Sequence, residues 1–135
     1  MSWKEFLGEI EKACKEKKVA YEDLKRWIYD TIPYVEKDAT AFLVSLGPTP
    51  ESKKLLTEVH ILTGKILHEF TVYEEKKEYN IYQPKTINAI HQTTENGYVK
   101  CIFLSGSTRF FRIEDNEKNL KSVTRFVQQI AKTWG

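Results

Sequence analysis

From about Thr40 to Ile113 the apolar residues come in short runs, each closed by a turn signal. The period there is read as that of strands rather than of helices. Ala41 to Leu46 is closed by Gly47-Pro48-Thr49-Pro50, whose prolines force a loop. Leu56 to Leu62 and Ile66 to Tyr73 flank Thr63-Gly64, a tight hairpin turn. Glu74-Glu75-Lys76-Lys77 reads as a polar turn, and Tyr79 to Tyr82 as a brief strand stopped by Pro84. Thr86 to Gln92 precedes Asn96-Gly97, the strongest hairpin signal in the chain. Tyr98 to Leu104 and Arg109 to Ile113 flank Ser105-Gly106-Ser107. These are seven candidate strands. Their short connections favour antiparallel pairing.

The period is helical on either side of this block. Ser2 with Glu5 forms a capping box pattern, and Trp3, Phe6, Leu7, Ile10, Ala13 and Cys14 follow at helical spacing. The charge run Lys15 to Lys18 closes that helix. Tyr21, Leu24, Trp27, Ile28 and Ile32 form a second stripe, ended by Pro33. After Asp115 or Asn116, either of which can cap, Leu120, Val123, Phe126, Val127, Ile130, Ala131 and Trp134 recur at offsets of three and four. The expected organisation is a helical hairpin extension over 1–37 and a strand-rich domain with a closing helix over 38–135.

Composition narrows the class. In 135 residues, 41% are hydrophobic and 13% aromatic, which is globular rather than disordered. The formal net charge of +2 does not by itself imply nucleic acid or an anionic membrane. Met1-Ser2-Trp3-Lys4-Glu5 does not read as a signal peptide, and no run reaches membrane-spanning length, so a soluble cytoplasmic protein is expected. Cys14 and Cys101 alone cannot build a disulfide framework or a zinc site.

The chemistry-bearing residues are sparse. There is no phosphate-binding glycine loop, no nucleophile elbow and no His-Glu-x-x-His pair. No catalytic residue, cofactor or metal ligand is therefore assigned. His60 and His68 fall on the two arms of the Thr63-Gly64 hairpin, and whether they share a face depends on register. A metal site would need further ligands, for which Glu58 and Glu69 are available; ordinary strand histidines are the preferred reading. His91 with Cys101 would supply a Cys-His pair, but Cys101 between Val99 and Phe103 reads as apolar filler. The candidate binding surface is basic and aromatic. It comprises Lys53 and Lys54 in the first strand loop, Lys100, Phe110 and Arg112 on the last hairpin, and Lys118, Lys121 and Arg125 on the closing helix.

The order of elements, strands followed by one amphipathic helix, resembles the pleckstrin-homology superfold. Ile61-Leu62-Thr63-Gly64-Lys65-Ile66-Leu67, Gln83 to Ile90 and Thr108 to Ile113 are similar in phrasing to bacterial members of that superfamily. The resemblance spans about Thr40 to Trp134 and leaves the helical hairpin before Asp38 outside it. It implies an α+β fold: a seven-stranded antiparallel bent sheet or partly open barrel capped by the C-terminal helix. It also implies a non-enzymatic module for protein contacts or self-assembly, with membrane association a lesser role. Lys53 and Lys54 occupy the loop where eukaryotic relatives bind phosphoinositide headgroups, but the second strand carries Glu58 and His60 where those relatives place an Arg. A cone-shaped, nuclear-transport-factor-like domain binding a small molecule is the rival. A nucleic-acid binder using the last hairpin and helix is the third reading, against which the charge balance argues. Both faces of the last hairpin are apolar at Phe110-Phe111, so the helices of residues 3–32, another subunit or a partner must cover one.

Overall fold

The computed structural model describes residues 1–45, 55–82, 87–92, 98–103, 108–112 and 117–134, with side chains over 1–45, 55–82 and 121–133. Residues 46–54, 83–86, 93–97, 104–107, 113–116 and 135, among them Lys53, Lys54, Asn96, Gly97, Asp115 and Asn116, lie outside the described residues.

Helix α1 runs Trp3–Lys17 and starts as its sequence dictates. The Ser2 hydroxyl accepts the Glu5 backbone N–H at 3.1 Å, while the Glu5 carboxylate accepts the Ser2 N–H at 3.3 Å. The helix stops where Lys18 turns left-handed, at φ 58°. Val19 N–H then returns to the Cys14 carbonyl at 2.8 Å, closing the last turn. Helix α2 (Tyr21–Thr31) ends just before Pro33. A single helical turn, α3 (Val35–Asp38), was not expected from the sequence; it leads directly into the first strand.

The protein is α+β, with a four-stranded antiparallel sheet and a C-terminal helix. Strands β1 (Ala39–Ser45), β2 (Leu55–Thr63), β3 (Ile66–Tyr73) and β4 (Lys77–Tyr82) lie in sequence order. Lys77, expected in the turn, already belongs to β4. Gly64 takes φ +55° at the first central position of the β2–β3 turn, as a two-residue hairpin of this hand requires. Three further antiparallel strands, β5 (Ile87–Gln92), β6 (Tyr98–Phe103) and β7 (Thr108–Arg112), pair in order, and α4 spans Glu117–Trp134.

The first sheet is covered on both faces, and two hydrophobic clusters result. On one face Phe42, Val59, Ile61 and Phe70 meet Phe6, Ile10, Cys14, Leu24 and Ile28 of α1 and α2. The Phe6 and Phe42 rings stand 4.4 Å apart, and Trp27 meets Phe70 edge-on at 5.1 Å. Trp3 Nε1 donates to Tyr29 OH, which donates to Glu36, tying the three helices together. On the other face Leu43, Leu62 and Leu67 meet Val123, Phe126, Val127 and Ile130 of α4. Helices 3–32 therefore dock within the chain, on the first sheet. Val123, Phe126 and Ile130 are buried as expected of a closing helix, while the Trp134 side chain lies outside the described set.

Candidate functional site

Strands β2 and β3 bury six and five consecutive residues respectively, so both of their faces are interior. The alternation that normally sends polar residues to water instead places them under α4. Glu58 and His60 share a face because they are two apart, and the register sets His60 opposite both Leu43 and Glu69. The same register pairs His68 with Ile61, on the face covered by α1 and α2. The two histidines thus lie on opposite sides of the sheet.

Glu58, His60 and Glu69 are 2%, 0% and 3% exposed. Glu58 Oε1 lies 2.9 Å from His60 Nε2, and Glu69 Oε2 lies 3.5 Å from His60 Nδ1. The imidazole is therefore flanked by a carboxylate at each nitrogen. Ser45 Oγ sits 2.9 Å from His60 Nε2 and donates to Glu58 Oε1 at 3.1 Å, while Thr71 donates to the other Glu58 oxygen at 2.9 Å. Asn80 and Tyr82 approach Glu69 Oε1 at 3.4 and 3.5 Å. The Phe126 ring roofs the cluster, with its centroid 6.2 Å from that of His60. Burial, then the negative charge of Glu58, pushes the Tyr82 phenol above its ordinary pKa. In the sequence Glu58 and Glu69 are available ligands without an assigned role, and Ser45, Thr71 and Tyr82 do not stand out as their neighbours. Their signal was polar residues at period two inside otherwise apolar strands, Glu58-x-His60 facing Glu69-x-Thr71.

His68 has a different setting. Its ring nitrogens lie 2.7 Å from Thr63 Oγ1 and 2.6 Å from Tyr79 OH, and burial lowers its pKa. Its hydrogen bonds hold a neutral imidazole as a structural clamp between strand ends.

The candidate surface residues divide. Lys121 and Arg125 are exposed on α4. Arg125 borders a groove of about 250 Å³ between α4 and β1, lined also by Met1, Thr40, Ala41, Phe42, Phe126 and Gln129. Lys118 lies in the first turn of α4. In the second sheet Lys100 pairs with Phe110 and Tyr98 with Arg112, so these four positions belong to one face. His91 pairs with Lys100 whereas Cys101 pairs with Ile90, which places the two members of the considered Cys-His pair on opposite faces. Cys14 is a buried free thiol.

Among the described residues no helix is long and apolar enough to cross a membrane. No protein-family model, curated protein or solved structure matches the chain.

Proposed function

We propose that this chain is a non-enzymatic interaction module of pleckstrin-homology-like fold, which holds an acidic segment of a partner protein in the groove between α4 and β1. The observation that carries the reading is the groove itself. Its floor mixes the apolar Ala41, Phe42 and Phe126 with the polar Thr40, Ser122 and Gln129, and the exposed Arg125 stands at its edge. Such a floor takes one aromatic or aliphatic anchor, and the cationic rim favours carboxylates beside it. Lys121 and Lys132 extend the positive character along the exposed side of α4. The fold assignment is supported by element order, four strands, three strands and then the helix packed against β1, β5 and β6. The rival cone-shaped fold usually ends in strands. The free thiol at Cys14 suits a reducing cytoplasmic setting.

The test is selection of peptides from a random displayed library on the full chain, with Arg125→Glu as the counter-target. Selected peptides should be rich in Asp and Glu around one apolar residue, and should lose binding to the variant. Peptides without acidic bias, or equal binding to the variant, would refute the groove. A concentration-dependent dimer broken by Arg125→Glu would make the occupant a second copy, and the partner-segment reading would fall.

A further inference from the structure

The cluster beneath α4 carries an inference independent of the groove. Three side chains that commonly ligate metals, Glu58, His60 and Glu69, converge with their ligand atoms all within 4.8 Å of one another. They stand on the two central strands of the first sheet, where the β2–β3 ladder fixes the backbone. Their burial distinguishes them from surface acidic clusters, which collect without any ion.

The physical difficulty is the burial of two carboxylates and an imidazole. Each ionised group taken out of water carries a penalty of about several kcal/mol unless it is matched by charge and hydrogen bonds. A divalent cation held by two carboxylates and a neutral imidazole makes an electrically neutral centre, the form in which such groups are least costly to bury. The donor set also has chemical selectivity. One imidazole nitrogen with carboxylate oxygens suits first-row divalent transition ions better than thiolate-seeking ones.

The spacing is compatible. Metal–ligand bonds of about 2.0–2.2 Å place neighbouring ligands about 3–3.5 Å apart. Glu58 Oε1, His60 Nε2 and Ser45 Oγ already lie 2.9–3.1 Å from one another. Glu69 approaches the other ring nitrogen at 3.5 Å, and one ligand atom from each of the three residues lies within 4.8 Å of the other two. Thr71 holds the second oxygen of Glu58, and Asn80 approaches Glu69, the kind of outer contact that orients metal ligands.

We propose that Glu58, His60 and Glu69 bind one first-row divalent transition metal ion in the interior between β2, β3 and α4, where the ion has a structural role. Because the ligands are buried under Phe126, the ion enters while the chain folds. The full chain is therefore unfolded with a chelator, refolded with or without Co²⁺, desalted and assayed for retained metal by mass spectrometry. The expected result is about one ion per chain, with visible Co²⁺ absorption and a higher thermal midpoint than the metal-free protein. Glu69→Gln and His60→Gln should each cut retained metal by about tenfold or more, a loss at least as large as outer-contact mutations give. His68→Gln, on the opposite face, should load normally. Circular dichroism establishes that each variant is folded, and if neither ligand variant folds the wild-type count and spectrum decide. Folded wild-type protein that retains no Co²⁺ and gains no stability would overturn the proposal. So would folded ligand variants that load like wild type.

Discussion

Truncating Phe126 to Ala tests the closing role of α4. The side chain is 3% exposed and belongs to the cluster with Leu43, Leu62, Leu67, Val123, Val127 and Ile130. Removing the ring takes away about 100–150 Å² of buried apolar surface, worth about 3 kcal/mol at 25 cal/mol per Å². The void opens beside His60 and within the apolar cluster, and with the cavity left behind the total comes to about 3–5 kcal/mol. A domain of this size has about 5–15 kcal/mol in hand, so the variant should fold but marginally. With a urea m-value of about 2 kcal/mol per M, the midpoint should fall by about 2 M. The assay is urea unfolding of the full chain, followed by far-ultraviolet circular dichroism and by tryptophan fluorescence, whose coincidence checks two-state behaviour. Phe126→Leu, which keeps most of the volume, should lose only about 1 kcal/mol. A Phe126→Ala midpoint within about 0.5 M of wild type would show that α4 does not close this core.

Two further outcomes concern titration. Burial holds His68 below the ordinary value of 6.5, so the unfolded chain takes up the proton first as pH falls. The stability from this group is full above 6.5 and is lost as pH falls through the lower folded value; His68→Gln should flatten the drop in urea midpoint between about pH 7.5 and pH 5. The Cys14 thiol is pushed up to about 11 by burial and then by Glu11, so its contribution is intact below 9.0 and is lost as pH rises through about 11. In a Cys101→Ala background, native protein should resist an aromatic disulfide reagent at about pH 8 and react once unfolded; fast native reaction would refute the burial of Cys14.

The helices were legible because each carries its own punctuation. Ser2-x-x-Glu5 starts α1, Pro33 follows α2, and the apolar offsets of Val123, Phe126, Val127 and Ile130 mark the buried face of α4. The β2–β3 hairpin was legible from Gly64, which meets a positive φ, although the turn is Gly64-Lys65 and Thr63 belongs to β2. The interior cluster was not. Glu58 and His60 belong to a pattern that elsewhere marks a solvated strand face, and nothing local records that α4 lies on that face. Sequence spacing also could not separate His60 from His68, because a shift of one residue in the β2–β3 ladder would bring them onto the same face. The single turn α3 is too short for periodicity to reveal.

The two covers of the first sheet come from opposite sides of it along the chain. Helices α1 and α2 precede the strands they pack on, and α4 follows β7. Neither cover can settle through local contacts alone. The stripe of Phe6, Ile10 and Ile28 has no complete seat until β3 supplies Phe70, and the polar side of the sheet stays wet until Val123, Phe126 and Ile130 arrive. In kinetic terms both halves of the core depend on loop closures over long stretches of chain, which slows folding relative to a helical bundle of similar stability. An intermediate with its first cover in place and α4 undocked would expose Leu43, Leu62 and Leu67 beside the open Glu58–His60–Glu69 cluster. That is a sticky surface with a charged centre, the species on which a chaperone, or a metal ion in the surrounding water, would act first.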